Sequence, residues 1–400
     1  MEALHPLLIR DFCIATSIGA GTAVVLAALE SGRSGLRPCH FETADLPTYV
    51  GEIDGLENVR LEGALAVFDC RNHRLAELAL RQDGFEAAVN AAKQRHGANR
   101  IGIFLGTSTA GILQSELAYR ARDPDTGALP AWFDYQRTHN TYSLASFVSE
   151  RLGLHGPSIV ISCACASTAK AFGSAARMIE AGLCDAAIVG GADSLCLTTL
   201  YGFQSLNLTA AGPCRPFDAD RDGISIGEGA GFALLERAEL DVGVDGLFLL
   251  GIGESNDAYH MSSPHPEGVG ARLAMERALA SAGLRPADID YLNLHGTATR
   301  VGDAAEDRAI FEMFGGATPC SSTKGQTGHT LGAAGIVEAV ISLLAIRHGT
   351  IPANANTVTI DPEFRSRHVT AGTPAQLDRV MSNSFGFGGS NCSLILGRTL

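Results

Sequence analysis

Three short stretches, far apart in the chain, hold side chains able to act together on an acyl group. They are Ser162-Cys163-Ala164-Cys165-Ala166-Ser167-Thr168, Leu294-His295-Gly296-Thr297-Ala298-Thr299 and Gly328-His329-Thr330-Leu331-Gly332. A thiolate accepts an acyl group from a thioester, and two imidazoles hold negative charge on the carbonyl oxygen of an incoming carbon nucleophile. Val160-Ile161-Ser162 reads as the end of a strand and the run from Ser167 to Ala176 as the start of a helix, so Cys165 falls at a strand-to-helix turn. There the unpaired N–H groups of the helix N-terminus are expected to favour thiolate over thiol. The turn also aims the backbone N–H of Cys165 at an oxyanion forming on a bound acyl group. On the residues alone, Cys163 is a rival nucleophile. Gly296 and Gly328 beside the two histidines let a substrate approach the rings closely.

These residues need a scaffold, and the sequence reads as one in which apolar strands alternate with amphipathic helices. Residues 7–16, 100–105, 158–162 and 185–189 read as strands, and residues 22–31, 84–95 and 168–182 as helices. That alternation predicts an α/β architecture with parallel or mixed sheets. A faint internal echo links residues 101–111 with 289–299, and the strand-to-helix run 158–182 with 318–349. Two related halves, 1–245 and 246–400, meeting near Asp241–Gly246, account for it; a chance likeness is the alternative. Gly19-Ala20-Gly21 lacks the third glycine of a dinucleotide fingerprint and reads as a plain turn.

Composition narrows the class. The chain has 400 residues, 46% hydrophobic and 18% charged, ample for a large core. A formal charge of −13 argues against a nucleic-acid surface. Ten scattered cysteines with no CxxC pair indicate neither a zinc site nor a redox motif, and reduced cysteines imply the cytoplasm. Glu2 and Arg10-Asp11 are wrong for a signal peptide, and the charge-free run from Ser194 to Cys214 makes a poor membrane span.

Further blocks accompany the first three: Ser322-Thr323-Lys324 before His329, Gly332-Ala333-Ala334-Gly335 after it, Cys214-Arg215-Pro216-Phe217-Asp218, Arg221-Asp222-Gly223, Gly227-Glu228-Gly229-Ala230, and Asn383-Ser384-Phe385-Gly386-Phe387-Gly388-Gly389-Ser390-Asn391. In order and flanking residues the whole set resembles the β-ketoacyl-ACP synthases, condensing enzymes of the thiolase superfamily that serve fatty-acid and polyketide synthesis. The resemblance runs over nearly the whole chain. It implies duplicated βαβαβαββ halves stacked into a five-layered αβαβα body, and a dimer, homomeric or with a related subunit. It implies a decarboxylating Claisen condensation of acyl-ACP with malonyl-ACP, with no metal or redox cofactor because the phosphopantetheine of the acyl carrier protein holds both substrates.

Carried over by motif, Cys165 is the nucleophile, with Cys163 in the place of a Ser or Thr. His295 and His329 donate to the malonyl thioester carbonyl. Lys324 and Glu338 are expected to orient His329, Asp303 and Glu306 to form a supporting acidic pair, and Thr297 and Thr299 to contact the phosphopantetheine arm. Phe387 gates the acyl pocket and supplies a second oxyanion N–H. Phe203, Thr109 and Thr199 fall near the acyl tunnel, where the two threonines imply a polar lining and an unusual acyl chain. Ile224 stands where the family has Phe, Arg300 where Pro is common, and Lys170 brings an unusual charge to its helix. Arg60, Arg71 and Arg74 are read as docking residues for an acidic carrier, with solvated surface arginines as the alternative. Two alternatives stand beside this reading: a thiolase-type acyltransferase, and a tunnel-shaping partner subunit of a heterodimer.

Overall fold

The computed structural model describes residues 4–238 and 246–398; of the expected boundary between halves, residues 241–245 lie outside the described residues. Ten principal strands carry the fold. In the first half they are β1 (Leu7–Thr16), β2 (Ile101–Gly106), β3 (Ser158–Ile161), β4 (Ala186–Asp193) and β5 (Gly229–Arg237). In the second they are β6 (Phe248–Asn256), β7 (Tyr291–Asn293), β8 (Pro319–Ser321), β9 (Arg379–Gly386) and β10 (Ser390–Gly397). The first five lie in the order β3-β2-β4-β5-β1 and the second five in the order β8-β7-β9-β10-β6. The two orders are the same once the second is counted from its own first strand. Directions repeat too: β2 runs parallel to β3 and β4, and β7 parallel to β8 and β9. The remaining pairs within each half are antiparallel. The sheets meet edge to edge through β1 and β6, at Leu7 opposite Leu249 and Leu8 opposite Phe248. The segments that echo each other in sequence are thus topological counterparts: β2 with β7, and β3 with β8, each of the latter pair leading into a central helix.

Helices fill three layers. Outside the first sheet lie α1 (Arg71–Leu80), α2 (Phe85–His96) and α3 (Ser143–Leu152). Between the sheets lie α4 (Ser167–Glu180) and α7 (Ala334–His348); outside the second sheet lie α5 (Val269–Ala282) and α6 (Arg300–Phe314). Separate apolar cores glue the layers: Leu75, Val89 and Phe147 against β2 and β5; Phe172, Ile336 and Val340 between the sheets; Met275 and Ile310 against β7 and β9. The run Leu331–His348 is long and apolar enough to cross a membrane, and here it is almost wholly buried inside the fold.

The sequence reading misses the length of β4, which extends past Val189 through Gly190 and Gly191 to Asp193. Both glycines have positive φ, and a Cβ on Gly191 would lie 1.9 Å from the carbonyl oxygen of Gly106. Glycine here is what lets β4 stay pressed against β2.

Small residues also bring α4 and α7 into contact. A Cβ on Gly335 would sit 2.6 Å from the backbone N of Ala169. Thr168 ties the two N-terminal turns, its Oγ1 donating to Gly332 O at 2.7 Å and accepting from Ile336 N at 3.0 Å. This crossing sets Cys165, just ahead of α4, beside His329, just ahead of α7.

Candidate active site

Cys165 follows a turn in which Ala164 adopts φ 51, a left-handed conformation rare for a side chain. Ser167 holds that turn: its hydroxyl donates to Ala164 O at 2.5 Å and accepts from Cys163 N at 2.9 Å. The Cys165 sulfur is buried, and the backbone N–H of Phe387 is directed at it. Burial pushes the thiol up to about 12, against the opposing pull of the Lys324 charge and the Phe387 N–H. The expectation of a resting thiolate is therefore corrected: desolvation outweighs the Lys324 charge and the Phe387 N–H, and the group needs a proton acceptor when it attacks.

That acceptor is adjacent. His329 Nε2 lies 3.0 Å from Cys165 Sγ. Burial first, then the charge of Lys324, keeps the His329 imidazole well below its usual pKa, so the ring is neutral. Its Nδ1 is buried with no hydrogen-bond partner among the described residues. His295 stands across the cavity, its ring perpendicular to that of His329 with centroids 5.2 Å apart, and it too is held neutral by burial and Lys324.

Lys324 is buried, its ammonium in direct contact with Glu338 and with His295 O, and 3.5 Å from His295 Nδ1. Lys324 and Glu338 therefore orient His295; the expectation that they orient His329 is corrected, since the ammonium reaches His329 only through its charge. An ammonium facing Nδ1 needs a lone pair there, which places the His295 proton on Nε2, toward the cavity.

Asp303 and Glu306, one turn apart on α6, hold the loop that carries His295. Glu306 accepts from His295 N at 2.8 Å and Gly296 N at 2.7 Å; Asp303 accepts from Ala298 N at 3.1 Å and Phe217 N at 2.7 Å. These anchors sustain positive φ at Gly296, Ala298 and Phe217. Burial raises Asp303 to about 6 and Glu306 to about 7, each against the backbone N–H groups that favour ionisation.

A cavity of 360 Å³ joins Cys165, His295 and His329 with Thr297, Thr299, Phe203, Phe387, Ile224 and Arg300. The Phe203 and Phe387 rings lie 5.5 Å apart and tilted 37°, closing one side. Thr297 and Thr299 share a hydroxyl contact of 3.0 Å on the way out. Thr109 and Thr199 do not line this cavity. The Thr109 hydroxyl donates to Asp193 at 2.9 Å, and the Thr199 hydroxyl returns to Cys196 O at 3.0 Å. This cavity therefore gives the expected polar tunnel no support.

Other expectations change as well. Arg71 is paired with Glu228 and Arg74 with Asp69 inside the chain. Lys170 is half-buried and has a partner, Glu254, at 3.7 Å. The Cys165 sulfur and one ring nitrogen from each histidine all lie within 4.8 Å of one another, a soft donor set that a zinc ion would fit.

Asp193 was not singled out from sequence. Its fully buried carboxylate accepts from Thr107 Oγ1, Ser108 N and Oγ, Thr109 N and Oγ1, and Gly332 N, at 2.5 to 3.1 Å. It ties the turn after β2 to the turn after His329. A lone acid ending the apolar run Ala186–Ala192 was the available signal.

Comparison with known proteins finds relatives over nearly the whole chain. The profile of the β-ketoacyl synthase N-terminal domain matches residues 72–240, and that of its C-terminal domain matches residues 248–358. The chain is similar to 3-oxoacyl-[acyl-carrier-protein] synthase 2 of Staphylococcus aureus, 35% identical over 84% of this chain and 90% of that protein. It is 43% identical to the mitochondrial 3-oxoacyl-[acyl-carrier-protein] synthase of Arabidopsis thaliana, over 62% of this chain and 58% of that protein. Among solved structures, the ketosynthase ApeO in complex with its chain length factor ApeC from Xenorhabdus doucetiae superposes with TM-score 0.89 at 37% identity, covering 98% of both chains. The ishigamide ketosynthase/chain length factor also gives TM-score 0.89, at 28% identity over 99% of both chains.

Proposed function

Because this chain belongs to the β-ketoacyl synthase family, we propose that it extends an acyl chain by decarboxylating Claisen condensation, both substrates arriving as thioesters of acyl carrier protein. The observation that carries this reading is the 3.0 Å contact between His329 Nε2 and Cys165 Sγ, with the neutral His295 ring facing them in one cavity.

In the first half-reaction Cys165 Sγ attacks the acyl carbonyl. Its proton passes to Nε2 of His329 and on to the departing carrier thiolate, leaving acyl-Cys165 and free carrier. The backbone N–H groups of Cys165 and Phe387 receive the transient oxyanion. Malonyl-ACP then enters, its carboxylate carbon leaves as CO2, and the released electron pair forms an enolate. The enolate oxygen accepts from Nε2–H of His295 and from His329 in its Nε2–H tautomer. Because charge on that oxygen grows as CO2 departs, donors aimed there lower the barrier selectively. The enolate carbon attacks acyl-Cys165, the C–S bond breaks, and the thiolate takes a proton from solvent. The products are 3-oxoacyl-ACP, CO2 and carrier, and the electron balance closes without a redox step. Three intact reactive residues favour this reading over a tunnel-shaping subunit.

We also propose a dimer with a second chain of this fold, this one or a relative. The support is the edge strand β3, whose outer side has no strand partner among the described residues and whose Ile159 and Ile161 are only half-buried. Ten free cysteines favour a reducing compartment, the cytoplasm.

The test is intact-mass analysis after incubation with acyl-ACPs of graded length. An acyl adduct on Cys165, discharged by malonyl-ACP with release of 3-oxoacyl-ACP, is expected. No adduct with any chain, with or without a co-expressed related subunit, would refute the reading.

A further inference from the structure

The wall that leads out of the cavity runs along one stretch of chain. His295 is buried, Thr297 and Thr299 are half-buried, and Arg300 and Val301 are exposed, so this stretch climbs from the reactive sulfur to the mouth. At the top, Arg300 is the only lysine or arginine among the described residues that line the cavity. Among the described residues its guanidinium has no carboxylate within ion-pair distance, while its neighbour Arg221 is held by Asp361 at 2.7 Å and contacts Arg300 only at the carbonyl oxygen. The carboxylates around it have other partners. Asp222 accepts from Ala211 N and Asp257 from Asn391 Nδ2, while Asp303 and Glu306 hold backbone N–H groups beneath.

Arg300 is also the first residue of α6. A cation there faces the electropositive end of the helix, the less favourable end for it. Asp303, in the first turn of the same helix, is buried and turned to the backbone N–H groups of Phe217 and Ala298. An unpaired guanidinium, placed at the mouth of a reaction cavity against its helix dipole, fits an anion that comes with the substrate.

We propose that Arg300 binds the phosphate of the phosphopantetheine arm, fixing the arm's outer end while Thr297 and Thr299 line its path to Cys165. This deepens the proposed function and rests on it. Guanidinium and phosphate suit each other through paired, charge-assisted hydrogen bonds. Arg300 here is a positioning residue: it touches the carrier-borne arm and none of the bonds that change.

The experiment separates the arm's phosphate from acidic side chains of the carrier, and does not depend on turnover. Free phosphopantetheine and free pantetheine are titrated for their protection of Cys165 against alkylation by iodoacetamide, read by peptide mass, in the wild-type chain, Arg300→Ala and Arg300→Lys. Circular dichroism verifies that each variant is folded; the site is exposed and makes no side-chain bond that folding needs. Phosphopantetheine is expected to protect at lower concentration than pantetheine, with the ratio falling about tenfold in Arg300→Ala and partly retained in Arg300→Lys. An equal ratio in wild type and Arg300→Ala would overturn the proposal. So would an Arg300→Ala defect seen only with carrier-borne thioesters, which would assign the arginine to the carrier's own acids. Failure of Cys165 to accept any acyl group would count against the proposed function while leaving the protection ratio to judge the phosphate site.

Discussion

At Cys165 the balance between burial and local charge decides how the nucleophile works. A thiol pushed up to about 12 is unreactive at neutral pH unless its proton has somewhere to go, and His329 is the neutral acceptor beside it. Cys165→Ala is expected to abolish the acyl adduct outright, while Cys163→Ser retains it; intact-mass analysis separates the two. His295→Ala should leave Cys165 acylation largely intact and slow the condensation step by about a hundred- to a thousandfold, measured by single-turnover discharge of acyl-Cys165 with malonyl-ACP. Zinc is expected to inhibit reversibly, with activity restored by a chelator, since the ion would take the sulfur and ring nitrogens that catalysis uses. The sequence names all three reactive residues by motif but misassigns the partner of Lys324, because which ring an ammonium reaches depends on how β8 and α7 sit relative to β7.

Among the elements, the loop after β7 is held by two buried acids, and its titration has a definite sign. Asp303 and Glu306 have folded-state values of about 6 and about 7, above those of free carboxyls. The folded chain therefore binds more protons than the unfolded one between the ordinary carboxylate range and pH 7. Their contribution to stability is fully present below the unfolded values and is lost as pH rises through about 6 and about 7. Thermal melts from pH 5 to 8 should show this fall, and Glu306→Gln should flatten it. The Asp193 carboxylate ties the β2 turn to the His329 turn through six donors, so Asp193→Ala, which leaves them buried and unpaired, should cost about 3 kcal/mol or more in denaturant unfolding. Most strands and helices read from periodicity stand within two residues of their observed ends. β4 does not, because it continues past Val189 through Gly190 and Gly191, whose close backbone contacts with neighbouring strands carry no hydrophobic signal.

For the whole molecule, the layered order makes the two halves interdependent. The central core mixes Phe172 and Val189 from the first half with Ile336, Val340 and Leu394 from the second. Neither half has a complete core alone, so heat or denaturant unfolding is expected as one transition, coincident by circular dichroism and tryptophan fluorescence; two separated transitions would show independently stable halves. What the sequence determined by itself was the α/β alternation, the three reactive residues and the family they resemble, because periodicity and motif are written in neighbouring residues. What only the tertiary structure decided was the protonation of Cys165, the ring that Lys324 orients, the placement of Thr109 and Thr199 outside the cavity lining, and the internal pairing of Arg71 and Arg74. Each depends on desolvation or on a partner distant in the chain, such as Glu228 for Arg71, and those enter only when the layers close.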